Sequence, residues 1–170
     1  MSLGTCINSK HGAGAALPKC RLIFFSLAAE REMGIYPSQW MTLAQSWPRA
    51  IKFLKKTVAQ KDYNQDAELG YEGRLMMFHQ LWLAYGDNFY QTLHRHYRVS
   101  APDLPTDAEK INSFIINASI YSGYNLASFF TTWGLMPKDP NAYNTLMAEL
   151  NALKLPDTRI DPYTLTDLAD

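Results

Sequence analysis

Glycines and prolines divide this chain into helix-length pieces, and the apolar residues inside those pieces recur at helical spacing. "RLIFFSLAAEREMG" is apolar over most of its surface and stops at Gly34, so it is expected to form a buried helix. In "PSQWMTLAQSWPRAIKFLKKTVAQ", Pro37 suits a first turn, while Pro48 is expected to split or kink the run into two shorter helices. "DAELGYEGRLMMFHQLWLAYG" carries Leu75, Phe78, Trp82 and Tyr85 at helical spacing, flanked by Met77 and Leu81, and ends at Gly86, with Asp87 positioned to cap the next helix. After the two prolines of "APDLPTDAEK", Thr106 and Glu109 form a capping-box pair, and Ile111, Phe114, Ile115, Ala118 and Tyr121 make one stripe. Gly123 and Gly134 bound a short piece. Asp139 and Pro140 then open a last helix whose Tyr143, Leu146, Met147 and Leu150 are expected to point inward. No run alternates with a period of two between hairpin turns. The expected class is all-α, about seven helices in a compact irregular bundle.

At 170 residues the chain is long enough for one cored domain. Residues 21–170 are assigned to it. Residues 1–20, "MSLGTCINSKHGAGAALPKC", are atypical and are expected to be a disordered or non-native segment, with no charged n-region followed by an apolar stretch. Cys6 and Cys20 permit a disulfide without requiring one. Sixteen basic and sixteen acidic residues cancel, so nothing global draws the chain to nucleic acid or to an anionic membrane. No apolar run has the length of a membrane span. Ten tyrosines and four tryptophans exceed what a core of this size needs, so part of that aromatic surface is expected to face a groove or a neighbouring domain.

Self-sufficient catalytic motifs are missing from these 170 residues, which contain no HExxH, no GxSxG and no CxxC. His94 and His96 are two apart, which on a helix turns them about 200° from each other, whereas metal pairs on one helix need a spacing of three or four. With Arg95 and Arg98 they read more simply as positive charge at a helix C-terminus. His79 sits among Met76, Met77, Phe78 and Trp82 and reads as a hydrogen-bonded core or cleft residue. Tyr90 and Tyr97 beside the arginines would suit single-stranded nucleic acid, but two arginines on a neutral chain do not make a binding track. Lys52, Lys55 and Lys56 read as a solvated face, and Asn117-Ala118-Ser119, formally a glycosylation triplet, reads as packing inside a helix.

Three stretches taken together resemble a known family. "RLMMFHQLWLAYGDNFYQTLHRHYR", "FIINASIYSGYNLASFFTTWGL" and "LKLPDTRIDP" are similar to the C-terminal helical part of the viral-enhancin and accessory-colonisation-factor family of zinc metallopeptidases. In that pattern a helix ends in an aromatic-Gly step, here Tyr85-Gly86, another reaches a Tyr-Arg pair, here Tyr97-Arg98, and a later one reads Asn-Leu-x-x-Phe-Phe-x-x-Trp-Gly, here Asn125 to Gly134. "FFSLAAEREMG" resembles the helix after the family's third zinc ligand.

The resemblance implies secreted or cell-surface enzymes that act on mucin-like glycoproteins with an HExxH zinc helix and a downstream glutamate ligand. This chain lacks the HExxH, and no glutamate stands around Lys19 and Cys20. The expectation is therefore a substrate-cleft or structural helical subdomain, inactive as an isolated chain. No cofactor is expected here, zinc belonging to the complete enzyme. The expected partners are the missing zinc-bearing part of the peptidase and a glycoprotein or mucin substrate. His79, Tyr97, Arg98, Tyr124 and Asn125 are the expected substrate contacts, with the alternative that Tyr97, Arg98 and Asn125 only tie helices together. The rival reading of the whole chain is a free-standing helical module that binds a protein or a glycan through exposed aromatics. A metal enzyme built on His79, His94 and His96 would need those three to converge.

Overall fold

Trp47, Ala50 and Phe53 lie on one side of a single helix, and their burial holds that helix together through a proline. The computed structural model describes residues 33–34 and 43–167. Among them are five α-helices: α1 (Leu43–Leu54), α2 (Gly70–Ser100), α3 (Asp107–Ser122), α4 (Ala127–Thr132) and α5 (Pro140–Ala152). Two short 3-10 turns, Val58–Gln60 and Pro162–Thr164, complete the order. The chain is mostly helical, and among the described residues the only strand-like pairing is an isolated parallel bridge between Asn125 and Asp157.

The expected count of about seven is corrected to five among the described residues. Three causes are visible. The helix expected over 21–34 lies outside the described residues except for Met33 and Gly34, as do Cys6, Cys20 and the whole of 1–20. The break expected at Gly86 is present: Gly86 leaves helical geometry (φ 73, ψ −170), and α2, counted here as one element, is two helical segments joined across that kink, with Tyr90 Oη of the second donating to the Phe78 carbonyl of the first at 2.6 Å. Asp87 is the first residue of the second segment, and its carboxylate accepts from Trp82 Nε1 at 2.8 Å. Nor does Pro48 split α1, which runs through it from Leu43 to Leu54. The loss of one backbone bond is outweighed there by apolar burial on both sides of the ring.

α2 is the axis of the bundle. α1 and α3 pack on it, α5 packs on α3, and the Pro162–Thr164 turn lies against α2 and α4. Helix α3 starts as expected: Glu109 N–H donates to Thr106 Oγ1 (3.2 Å) while Thr106 N–H donates to Glu109 Oε2 (2.8 Å). Its stripe Ile111, Phe114, Ile115 and Ala118 is buried, with Tyr121 half-buried. Asp139 caps α5 through Ala142 N–H at 2.8 Å. Leu146 and Leu150 point inward and Met147 is half-buried, but Tyr143 is exposed. Because α5 leans on α3 alone among the helices it contacts substantially, a narrow stripe is enough to seat it.

The loop between α1 and α2 is organised by one guanidinium. Arg74 donates to four backbone carbonyls, those of Tyr63 (2.8 Å), Asp66 (2.7 Å), Gly70 (3.0 Å) and Asn64 (3.3 Å). Tyr63 answers by donating its hydroxyl to the Arg74 carbonyl at 2.9 Å. Lys56 pairs with Asp66 and Lys52 with Glu68, so the lysine-rich end of α1 is tied to this loop as well as solvated.

Candidate functional site

Along the middle of α2, aromatic rings and carboxylates alternate. His79 is 5% exposed, stacks on Trp82 (centroids 5.4 Å apart) and meets Trp47 edge-on. Its Nε2 lies 2.8 Å from Asp167 Oδ2, and Trp47 Nε1 donates to Asp167 Oδ1, also at 2.8 Å. A carboxylate only accepts, so His79 Nε2 carries the shared hydrogen. Burial pushes the Asp167 carboxyl above its usual range, with its own backbone N–H acting in the opposite direction.

Gln80, next along the helix and 1% exposed, continues the network. Its Oε1 accepts from Trp133 Nε1 (2.9 Å), and its Nε2 donates to the carbonyls of Tyr163 (2.8 Å) and Leu165 (3.0 Å). Trp133 is itself fixed by Phe53, stacked at 5.9 Å, and by Tyr63, edge-on at 6.1 Å. The segment 161–167 is thereby laced to the centre of the bundle.

Two turns beyond His79, Tyr85 stacks on Tyr124 with centroids 6.1 Å apart. Removal from water, helped by the nearby Tyr124 and Asp161, pushes the Tyr85 phenol up to about 12, while a hydrogen bond from Ser122 works against the rise. Asp161 is raised by burial, opposed by the Tyr163 backbone N–H and by Ser128, whose hydroxyl donates to it at 3.4 Å. The helix break at Gly86 lies directly beside this pair and turns α2 where the tyrosines face the loop after α3.

Of the expected contacts, His79 and Tyr124 belong to this strip. Asn125 is adjacent to Tyr124, half-buried and engaged by the backbone: its side-chain oxygen accepts from Ala127 N–H (3.0 Å), and its backbone N–H donates to the Pro156 carbonyl (2.8 Å). Tyr97 and Arg98 lie beyond the break at Gly86, in the last turn of α2. Tyr97 is held against α3, its hydroxyl 3.1 Å from Ser113 Oγ, and burial raises its phenol. Arg98 is exposed. The five do not form one constellation.

The histidines do not converge either. His96 Nδ1 shares a hydrogen bond with Tyr121 Oη at 3.0 Å, His94 is exposed beside Tyr90, and His79 is engaged by Asp167. Among the described residues no group of three or more His, Cys, Asp or Glu side chains is placed to hold a metal ion. The described donor set does not fit zinc. The strip instead offers ring faces, a neutral phenol and hydrogen-bond acceptors, which is the chemistry of holding a ligand.

Trp47, Gln80 and Asp167 were not singled out by sequence reasoning. Gln80 had a usable signal, being a polar residue beside Met76, Met77 and Leu81 on a buried face, where an amide needs partners. Asp167 had none, since its partner His79 is 88 positions away.

Comparison with known proteins is consistent with this architecture. A crystal structure of a functionally unknown conserved protein from Bacillus anthracis str. Ames is similar to the chain with 30% identity and a TM-score of 0.64, covering 85% of this chain and 28% of that one. A mutant of a functionally unknown conserved protein from the same organism is similar with 32% identity, a TM-score of 0.62 and the same coverage. The chain thus spans little more than a quarter of the length of these solved relatives. No curated protein matches it. The family model for peptidase M60, enhancin and enhancin-like, matches residues 23–134. That match takes in α1 to α4, the Tyr85-Gly86 step and the Trp133-Gly134 close, and the chain belongs to the enhancin and enhancin-like M60 peptidase family.

Proposed function

We propose that this chain serves as the helical substrate-cleft or structural subdomain of an enhancin-like zinc metallopeptidase acting on mucin-like glycoproteins, and that it does not cleave them alone. The observation that carries the reading is the family match over 23–134 in a chain that spans 28% of its solved relatives. The chemistry then belongs to a zinc-bearing part with which this unit packs, in a secreted or cell-surface enzyme. Its own contribution is the aromatic strip, where Tyr124 and Tyr85 present stacked, half-buried rings to a substrate, and at the far end of α2 the exposed Arg98. His79, Tyr97 and Asn125 position these surfaces through their internal hydrogen bonds.

Titration of the purified chain with an O-glycosylated mucin-type peptide, followed by tyrosine ring NMR signals, tests the reading. The expected result is a shift of the Tyr85 and Tyr124 signals, lost in Tyr124→Ala and weakened in Arg98→Ala. Binding that survives both substitutions unchanged would remove the strip from the substrate path.

A further inference from the structure

The strap of residues 161–167 is held by a receptor that two helices build in advance. Gln80 cannot rotate its amide, because Trp133 Nε1 occupies Oε1, so both Nε2 hydrogens point at the strap. His79 is fixed by stacking on Trp82, and Trp47 is 1% exposed within α1. The three donors read a spaced pattern on the strap: the carbonyl of Tyr163, the carbonyl of Leu165 and the carboxylate of Asp167. Side-chain identity between these points is scarcely used. Pro162 is buried and Leu165 half-buried, whereas Tyr163, Thr164 and Thr166 are exposed. Beyond one 3-10 turn the strap has no regular hydrogen-bonded structure of its own, so detaching it breaks few internal bonds.

We propose that the slot formed by Trp47, His79 and Gln80 is a receptor for an extended acidic peptide segment of the pattern Pro-x-x-Leu-x-Asp, occupied here by the chain's own strap and open to a segment of the same pattern from another polypeptide. Recognition consists of two main-chain carbonyls two residues apart and a carboxylate two residues further on, each met by a buried N–H donor. The resident strap competes from within the same molecule, so an external segment gains access when the Asp167 contact is weakened.

The test uses the full chain carrying Asp167→Lys, which sets an ammonium against two N–H donors, and a capped peptide of residues 160–167, with tryptophan fluorescence as the readout. The peptide is expected to bind the variant at least about tenfold more tightly than the unmodified chain, and a peptide with Asn in place of its last Asp is expected to lose that advantage. Equal binding to both chains, or equal binding of the Asn peptide, overturns the proposal. Acetate that quenches the peptide's signal at the same concentration would show a pocket for free carboxylates, overturning the commitment to a peptide. Should the variant fail to fold, amide exchange in the unmodified chain decides. Strap amides 163–167 that exchange well ahead of the α2 core support an exchangeable occupant, and exchange only with global unfolding overturns it.

Discussion

Arg74 shows how one side chain can stand in for a stretch of secondary structure. Three backbone carbonyls of the loop before α2, those of Tyr63, Asn64 and Asp66, and that of Gly70 at the start of the helix are collected by its guanidinium. Arg74→Met should lower stability by about 2–3 kcal/mol, the loss expected when hydrogen bonds to a charged group are removed and their partners left unpaired, measured as a shift in urea midpoint. Gln80→Leu should cost about 1–3 kcal/mol, because it strands the buried Trp133 N–H. Tyr85 supplies a pH signature. Its phenol, ordinarily at 10.0, is pushed up to about 12, so the folded chain holds this proton more tightly than the unfolded one. Stability from this group is therefore complete below pH 10 and is lost as pH rises from there to about 12. Thermal melts across that window should show the decline, and Tyr85→Phe should flatten part of it. None of these three roles was legible from the sequence in full. Tyr85 was visible as a helical aromatic, but its partner Tyr124 is set by the α2–α3 crossing. Arg74 has no local signal for its role, since its partners lie as far as eleven positions away.

At the scale of elements, punctuation was the most readable layer, because capping and turn chemistry act within three or four residues. Thr106 with Glu109 and Asp139 with Pro140 start their helices where their side chains reach the first free backbone N–H groups. Pro48 misled, since its effect depends on whether burial at Trp47 and Phe53 outweighs one lost bond, and burial is a tertiary quantity. Gly86 was legible as a break, and the two segments of α2 meet at a kink there. Its backbone (φ 73, ψ −170) lies in a region that only glycine enters at low cost, and nothing within 4 Å would meet an added Cβ. Gly86→Ala should therefore cost about 1–3 kcal/mol of backbone strain without a clash, or straighten α2 at a similar expense. A change in the Tyr85–Tyr124 ring contact by NMR would report which of the two occurs. Gly134 is the contrasting case: it also has positive φ (63), and a Cβ there would come within 2.7 Å of Lys61 Cβ, so Gly134→Ala should be the more damaging substitution.

The whole molecule is a set of helices arranged around α2, and its family was legible before its site was. Motif order along the chain survives in one dimension: the aromatic-Gly step, the Tyr-Arg pair and the Phe-Phe-x-x-Trp-Gly close pointed to enhancin-like peptidases, and the family match over 23–134 agrees. The site is three-dimensional. Of the five residues expected to contact substrate, His79 and Tyr124 share a strip, Asn125 binds the Ala127 N–H beside it, and Tyr97 with Arg98 lies beyond the Gly86 break, where Tyr97 bonds Ser113 of α3. The hydrogen-bonding groups that organise the strip come from positions as far apart as 47, 80 and 167, a convergence no local pattern announces. The account's central claim is that this unit engages glycoprotein without hydrolysing it. The most direct measurement is to incubate the purified chain with a mucin-type glycoprotein in the presence of zinc and follow its length on a gel. The account predicts an intact glycoprotein at every time point, and cleavage abolished by a zinc chelator would contradict it.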